Sequence, residues 1–248
     1  MDILLETRGL TRDFSGFLAV NGVDLRVRRG SIHALIGPNG AGKTTLFNLL
    51  TRFLPASAGS ITFAGEDITR RSPAEVARLG MGRSFQMSAV FPGLTVAENV
   101  RLALQRPLGV SFQFWRSPRR LAALDGRVRE LLAGVGLETL ADRAAVELPY
   151  GRKRALEIAT TLALDPVLLL LDEPTQGMGQ EDVSRVVALV RRVARQRTVL
   201  LVEHNLSVVA DLCDTITVLQ RGSILAEGSY QEVSRDPAVL EAYIGAPA

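Results

Sequence analysis

The sequence predicts an α/β fold: a mostly parallel sheet covered on both faces by helices, with antiparallel strands before it and a helical stretch set inside it. Three observations carry that prediction. The segments VLLLLD (167–172) and TVLLVE (198–203) are apolar without alternation, and an amphipathic helical pattern separates them, as strands buried on both faces require. The segment IHALI (32–36) runs into a glycine-rich loop and then a helix. Between residues 121 and 163, apolar positions recur at helical spacing.

Taken in order, Ile3–Leu10, Val20–Arg28 and Ile32–Ile36 are predicted as strands, the first two reading as an antiparallel hairpin. Lys43–Phe53 follows as a helix and SITFAG (60–65) as a short strand. Leu121, Leu124, Val128, Leu131, Leu132 and Val135 share one face of a helix over 121–135. Ala155, Leu156, Ile158, Ala159, Leu162 and Ala163 repeat the pattern. After the buried strand 167–172 come an amphipathic helix over Val183–Val193, the strand 198–203 and a helix over Leu206–Leu212. The strands TITVLQ (215–220) and SILAEG (223–228) then close around a tight Arg-Gly turn.

Composition narrows the class. The 248 residues are 47% hydrophobic and 22% charged, ordinary globular usage with enough chain to bury a core. No apolar run exceeds the five residues of Val167–Leu171, far short of the ~18 a bilayer span needs, so the chain is not expected to cross a membrane by itself. The opening MDILLETRGLTRDF carries acids early and shows no secretory signal. A single cysteine, Cys213, excludes an internal disulfide framework and fits a reducing cytosol. The net charge is only +3, and apart from Lys43 and Lys153 the cations are arginines scattered among acids. They read as solvated helix faces, not as a stripe that tracks phosphates, so no nucleic-acid partner is expected.

The strongest chemical signal is GPNGAGKTT, comprising Gly37, Pro38, Asn39, Gly40, Ala41, Gly42, Lys43, Thr44 and Thr45. It matches G-x-x-x-x-G-K-[ST] between a strand and a helix, the context that motif needs. The glycines let backbone N–H groups converge on phosphate oxygens, and the helix N-terminus adds partial positive charge. Lys43 would reach the β and γ phosphates of a nucleotide, and the Thr44 hydroxyl would ligate Mg²⁺. The strand 167–172 ends in Asp172, placed to hold Mg²⁺, and Glu173 follows as a general base for the attacking water. Ligands bind beyond the carboxyl ends of such strands, where this pair falls.

Taken with DEPT (172–175), the stretch LPYGRKRALEIA (148–159) resembles the signature of ABC transporter nucleotide-binding subunits, and the resemblance covers essentially the whole chain. It implies a P-loop NTPase (RecA-like) core, an N-terminal antiparallel β subdomain, and a helical subdomain over about 87–163 inserted into a single ATPase domain spanning 1–248. It also implies a head-to-tail dimer in which Leu148, Pro149, Tyr150, Gly151 and Arg152 of one subunit close over the γ-phosphate held by the other. Free N–H groups at that helix tip make the role physically reasonable. Further matches are Phe14 to the aromatic that stacks on adenine and Gln86, in SFQ, to the glutamine that touches Mg²⁺ and water and senses the membrane partner. His204 matches the histidine that contacts the γ-phosphate, whereas His33, inside the strand that feeds the loop, reads as structural.

Departures from the family pattern stand out. Pro149 occupies the place of a phosphate-binding serine and has no donor. Arg152 replaces a glutamine, and Gly179, in QGMG, replaces an aspartate. The latter implies weaker coupling between two ATP sites. Glu173 and His204 are present, so hydrolysis is still expected.

Tyr150, GLTVAENV (93–100) and the ending EGSYQEVSRDPAVLEAYIG resemble the branched-chain amino acid and amide uptake type, with no room for an appended regulatory domain. Residues near 87–105 would receive a coupling helix of the permease. Phe112, Phe114 and Trp115, in the 106–120 insert, would touch permease or lipid headgroups, or pack on their own loop. The resemblance implies an ATP-hydrolysing subunit, peripheral at the cytoplasmic face of the bacterial inner membrane. Its partners would be a second ATPase subunit, identical or a paralogue, two transmembrane permease subunits and, indirectly, a substrate-binding protein. A lipid or lipopolysaccharide export subunit, a soluble ABC ATPase acting on DNA or ribosomes, and a non-hydrolysing assembly module stand as alternatives.

Overall fold

The computed structural model describes residues 2–84, 90–105 and 124–244. These fall into two compact units, one drawn from Met1–Arg83, Val167–Gln176 and Val193–Ala248, the other from Ser84–Pro166 and Gly177–Arg192.

The first unit is built on two sheets. The N-terminal one is antiparallel: β1 (Ile3–Phe14) pairs with β2 (Phe17–Val23), β3 (Arg26–Arg28) and β5 (Ala58–Phe63), and β5 pairs with β6 (Glu66–Asp67). The continuous strand expected over Val20–Arg28 is in fact broken. The buried Thr7 hydroxyl donates to the Val23 carbonyl at 2.8 Å and accepts from the Leu25 N–H at 2.9 Å, and the Thr7 N–H donates to the Leu25 carbonyl at 2.9 Å, so one residue carries the ladder across the gap. The Asp24 carboxylate meanwhile accepts from the Gly9 N–H at 2.6 Å. Local periodicity cannot show such a break, because the group that makes it lies 16 and 18 residues away.

The second sheet has the order β11-β10-β4-β9-β8-β7, with β4 (Ile32–Ile36), β7 (Met81–Ser84), β8 (Leu168–Asp172), β9 (Thr198–Val202), β10 (Thr215–Gln220) and β11 (Ser223–Gly228). The pairs β10–β4, β4–β9 and β9–β8 are parallel and β10–β11 is antiparallel. Every residue of β4, β8 and β9 is buried, which explains their unalternating apolar runs. Helix α1 (Lys43–Leu50) buries Leu46, Phe47, Leu49 and Leu50 in a core shared with β1, β5 and the strands of the second sheet. α2 (Pro73–Arg78) was not foreseen, although its capping box of Ser72 and Glu75 with a proline in the first turn is a recognisable start signal.

One polar chain crosses this sheet. Thr217 donates to Glu227 Oε2 at 2.6 Å, so its oxygen must accept from His33 Nε2 at 2.7 Å, which fixes the proton of neutral His33 on Nε2. Burial, then the charge of Arg28, pushes the His33 imidazole down to about 4. The structural reading of His33 is what this geometry supports.

The second unit is helical: α3 (Val96–Gln105), α4 (Asp125–Val135), α5 (Tyr150–Leu162) and most of α6 (Gln180–Ala194), of which the first three pack pairwise. Of the helix expected over 121–135, the part from Asp125 on is described. It ends on Gly136 in the left-handed conformation, at φ 71°. Buried Asn99 pins the approach to α3, accepting from the Phe91 N–H at 2.8 Å and donating to the Thr95 carbonyl at 2.9 Å. The chain ends in α7 (Leu206–Leu212), α8 (Tyr230–Val233) and α9 (Pro237–Ile244), which belong to the first unit. No helix among the described residues is long and apolar enough to cross a membrane.

Candidate nucleotide site

Three neighbouring parallel strands end on the same edge of the sheet, and each hands its next residues to the site. Leu35 of β4 and Asp172 of β8 both lie in register with Val202 of β9. The loop Gly37–Gly42, the Asp172–Glu173 pair and the Glu203–His204 pair are thereby brought side by side.

The loop needs its glycines for two different reasons. Gly37 has φ 149°, and a Cβ there would lie 2.2 Å from the Leu219 carbonyl oxygen; Gly42 has φ 102°, with a Cβ 2.4 Å from that of Ala19. Gly40, at φ 77°, has open space beside it and needs only the backbone freedom. Gly42 leads into α1, whose first-turn N–H groups have no acceptors within the helix. Lys43, 7% exposed, donates from Nζ to the Gly37 and Pro38 carbonyls at 2.7 and 3.0 Å. Burial pushes its ammonium down, while the charges of Glu173 and Asp172 push it back up. Thr44 is exposed and Thr45 half-buried.

Asp172, 1% exposed, accepts from Arg83 Nη2 at 3.0 Å. Glu173 adopts a left-handed backbone at φ 48°, unusual outside glycine, and its N–H donates to the Val202 carbonyl at 2.9 Å. Its Oε1 lies 2.8 Å from His204 Nε2, and its Oε2 is buried with no hydrogen-bond partner among the described residues. Buried Glu203 organises the turn behind: one oxygen accepts from the Thr175 N–H and hydroxyl, the other from the N–H groups of His204 and Asn205.

These groups fit Mg²⁺ delivered with a nucleotide. Among the described residues no cluster of three His, Cys, Asp or Glu side chains could hold a metal by itself. An exposed hydroxyl and one buried carboxylate are the sparse hard-oxygen set that Mg²⁺ accepts when phosphates supply the rest.

The remaining expected residues lie as follows. Phe14, at the end of β1, is half-exposed and has the Arg12 guanidinium 4.5 Å from its ring centroid. Gln86 lies outside the described residues, as does the insert with Phe112, Phe114 and Trp115. In the helical unit, Pro149 stands at the N-cap of α5 and supplies no side-chain cap, with Leu148 buried before it and Tyr150 exposed after it. A Cβ on Gly151 would lie 2.6 Å from Asp182 Cγ, so that glycine is required by a contact inside the chain. Arg152 is engaged too, donating to the Gly136 carbonyl at 2.7 Å.

Sequence reasoning passed over three residues. Arg83 carries no periodic or motif signal. Glu203 had a faint one, an acid ending a buried strand. Tyr243, on α9, has its phenol pushed up by burial, an effect that the Gly37 backbone partly offsets.

Comparison with known proteins identifies the family and the fold. Residues 20–176 match the family described as ABC transporter, and residues 223–248 match the one described as Branched-chain amino acid ATP-binding cassette transporter. The chain is 38% identical over 252 residues to the high-affinity branched-chain amino acid transport ATP-binding protein BraF of Pseudomonas aeruginosa, covering 98% of each. It is 37% identical over 250 residues to LivG of Escherichia coli, the corresponding high-affinity transport ATP-binding protein, again covering 98% of each. Among solved structures, a nucleotide-free ATP-binding cassette from an ABC transporter superposes with a TM-score of 0.86 at 31% identity, over 98% of this chain and 100% of that one. The ADP conformation of an ATP-binding cassette of an ABC transporter gives 0.86 at 30% identity, over 99% and 100%.

Proposed function

The chain belongs to the ABC transporter family, and from that premise we propose that it is the ATP-hydrolysing subunit of an importer for branched-chain amino acids or related small amides. The observation that carries the chemistry is the 2.8 Å contact between Glu173 and His204 at the ends of neighbouring strands, close enough to Lys43 for the Glu173 charge to act on it.

The geometry of the described residues supports the following roles, and the family resemblance supplies that of Gln86. The backbone of Gly37–Thr45 cradles the phosphates, and Lys43 exchanges two loop carbonyls for phosphate oxygens. Asp172 and the Thr44 hydroxyl would hold Mg²⁺, which would neutralise phosphate charge. Glu173 accepts the proton of the attacking water as oxygen bonds to the γ-phosphorus and the bond to ADP breaks. His204 orients that carboxylate and faces the γ-phosphate. By resemblance, Gln86 would join the metal and water, and Phe14 would stack on adenine with Arg12 on its other side.

Two subunits, identical or paralogous, would each supply residues 148–152 to the triphosphate of the other. ATP binding would close the pair and hydrolysis release it, driving two transmembrane permease subunits at the cytoplasmic face of the inner membrane; a substrate-binding protein would act only through them. The transported molecule never touches this chain. The test is uptake of labelled leucine and of short amides by proteoliposomes holding the complete transporter, with wild type and Glu173→Gln. ATP-dependent leucine uptake lost in the variant supports the reading. ATPase activity without uptake of any such substrate, or stimulation by nucleic acid, overturns it.

A further inference from the structure

Arg83 occupies a position that no motif assigns. Its side chain is buried, as is that of Asp172. One guanidinium nitrogen, Nη2, donates to Asp172 Oδ2 at 3.0 Å, and the other, Nη1, donates to Asn48 Oδ1 at 2.6 Å and Thr51 Oγ1 at 3.3 Å. The Thr51 hydroxyl donates its own proton to the Phe47 carbonyl at 2.7 Å, so toward Arg83 it can only accept. The guanidinium carbon also stands 5.6 Å from the centre of the Phe47 ring. Phe47 and Asn48 belong to α1 and Thr51 is its C-cap; α1 is the helix whose first turn carries Thr44. A single planar fork therefore ties the strand end that bears Asp172 to the helix that bears Thr44.

We propose that Arg83 is a positioning residue that braces β8 against α1, so that the Asp172 carboxylate and the Thr44 hydroxyl meet Mg²⁺ as a preformed pair. The proposal rests on the reading of Asp172 and Thr44 as the metal's protein ligands. Rigid bidentate donors suit such a brace, because the guanidinium fixes the angle between its two partners as well as their distance. A lysine would keep the charge beside Asp172 and lose one arm. Outer groups that orient a metal ligand are worth about 10- to 100-fold in metal affinity.

Charge compensation alone would also bury an arginine beside an aspartate, and the two roles separate experimentally. The Mg²⁺ concentration giving half-maximal thermal stabilisation is measured at saturating ATP for wild type, Arg83→Lys, Asn48→Ala and Asp172→Asn. ATP affinity in EDTA is measured alongside. The brace predicts that Arg83→Lys and Asn48→Ala each raise the Mg²⁺ requirement about tenfold while metal-free ATP affinity stays within about twofold. Asn48→Ala is decisive, since it removes the shorter of the two α1 hydrogen bonds, leaving the 3.3 Å bond to Thr51 and the Phe47 ring, and keeps the charge pair whole. An unchanged or lower Mg²⁺ requirement in both variants, with only a lower melting temperature, overturns the proposal. If Asp172→Asn also leaves the requirement unchanged, the metal reading of Asp172 falls and takes the brace with it.

Discussion

His204 Nε2 lies 2.8 Å from Glu173 Oε1, although 31 residues separate the two in the chain. Glu173 is held there by a left-handed backbone, at φ 48°, and by its N–H bond to Val202. A strained residue kept in place by its surroundings at a strand end is where a base for water is expected. Glu173→Gln should lower ATP turnover by about 10²- to 10⁴-fold with nucleotide affinity retained, and His204→Ala should act in the same direction by about 10²-fold. Single-turnover hydrolysis beside a nucleotide-binding titration checks both. Full turnover in Glu173→Gln would move the base elsewhere.

The phosphate loop makes a contrast within one motif. Gly37→Ala drives a Cβ to 2.2 Å from the Leu219 carbonyl oxygen, whereas Gly40→Ala meets nothing within 4 Å. Gly40→Ala should cost about 1 kcal/mol of unfolding free energy through backbone conformation alone, and Gly37→Ala at least about 2 to 3 kcal/mol, with ATP affinity lost. Urea denaturation of both variants measures the difference. Equal costs would mean that the close approach at Gly37 relaxes freely.

His33 gives the fold a pH dependence. Its folded pKa is about 4 and its ordinary value 6.5, so the unfolded chain takes up a proton first as pH falls. Stability from this group is complete above pH 6.5, declines between 6.5 and about 4, and levels off below, a total loss of about 3 kcal/mol. Subtracting the pH profile of His33→Gln from that of wild type isolates the effect. A flat difference across that window would show that His33 titrates normally in the folded chain.

At the aspartate position of the family pattern stands Gly179, where an added Cβ meets nothing within 4 Å. Gly179→Asp should therefore leave the melting temperature unchanged. It should also raise the cooperativity of ATP hydrolysis by restoring a charged contact across a dimer. The Hill coefficient of wild type and variant, measured with the permease present, decides it; no difference would count against the idea that this glycine uncouples two sites.

Much of the candidate site is legible in the sequence because its signals are local. A buried strand, a glycine-rich turn and a helix start are neighbours in Ile32–Leu50, and the hairpin of β10 and β11 announces itself by the Arg-Gly turn, with Arg221 at φ 49° and Gly222 at φ 82°. Long apolar runs likewise mark β8 and β9 within a residue of their observed ends. Arg83, Glu203 and Thr7 were not legible in the same way. Each acts through partners far along the chain: Asp172 at 89 residues, Thr175 at 28, Val23 at 16. Gly151 shows the same limit from the other side. Its place in the signature points to a γ-phosphate on a neighbouring subunit, while the folded chain shows that Asp182 already leaves no space for a Cβ there.

What the sequence determined by itself is the chemistry available at each strand end: a loop that can cradle phosphates, an Asp-Glu pair, a histidine. Those are properties of adjacent residues, set by backbone freedom, charge and hydrophobic period. Only the tertiary structure decided that β4, β9 and β8 stand side by side, so that the three ends converge and a guanidinium from β7 reaches both Asp172 and α1. Lateral strand order is settled by hydrogen bonds and packing between segments distant in the chain, and no local pattern of residues records it.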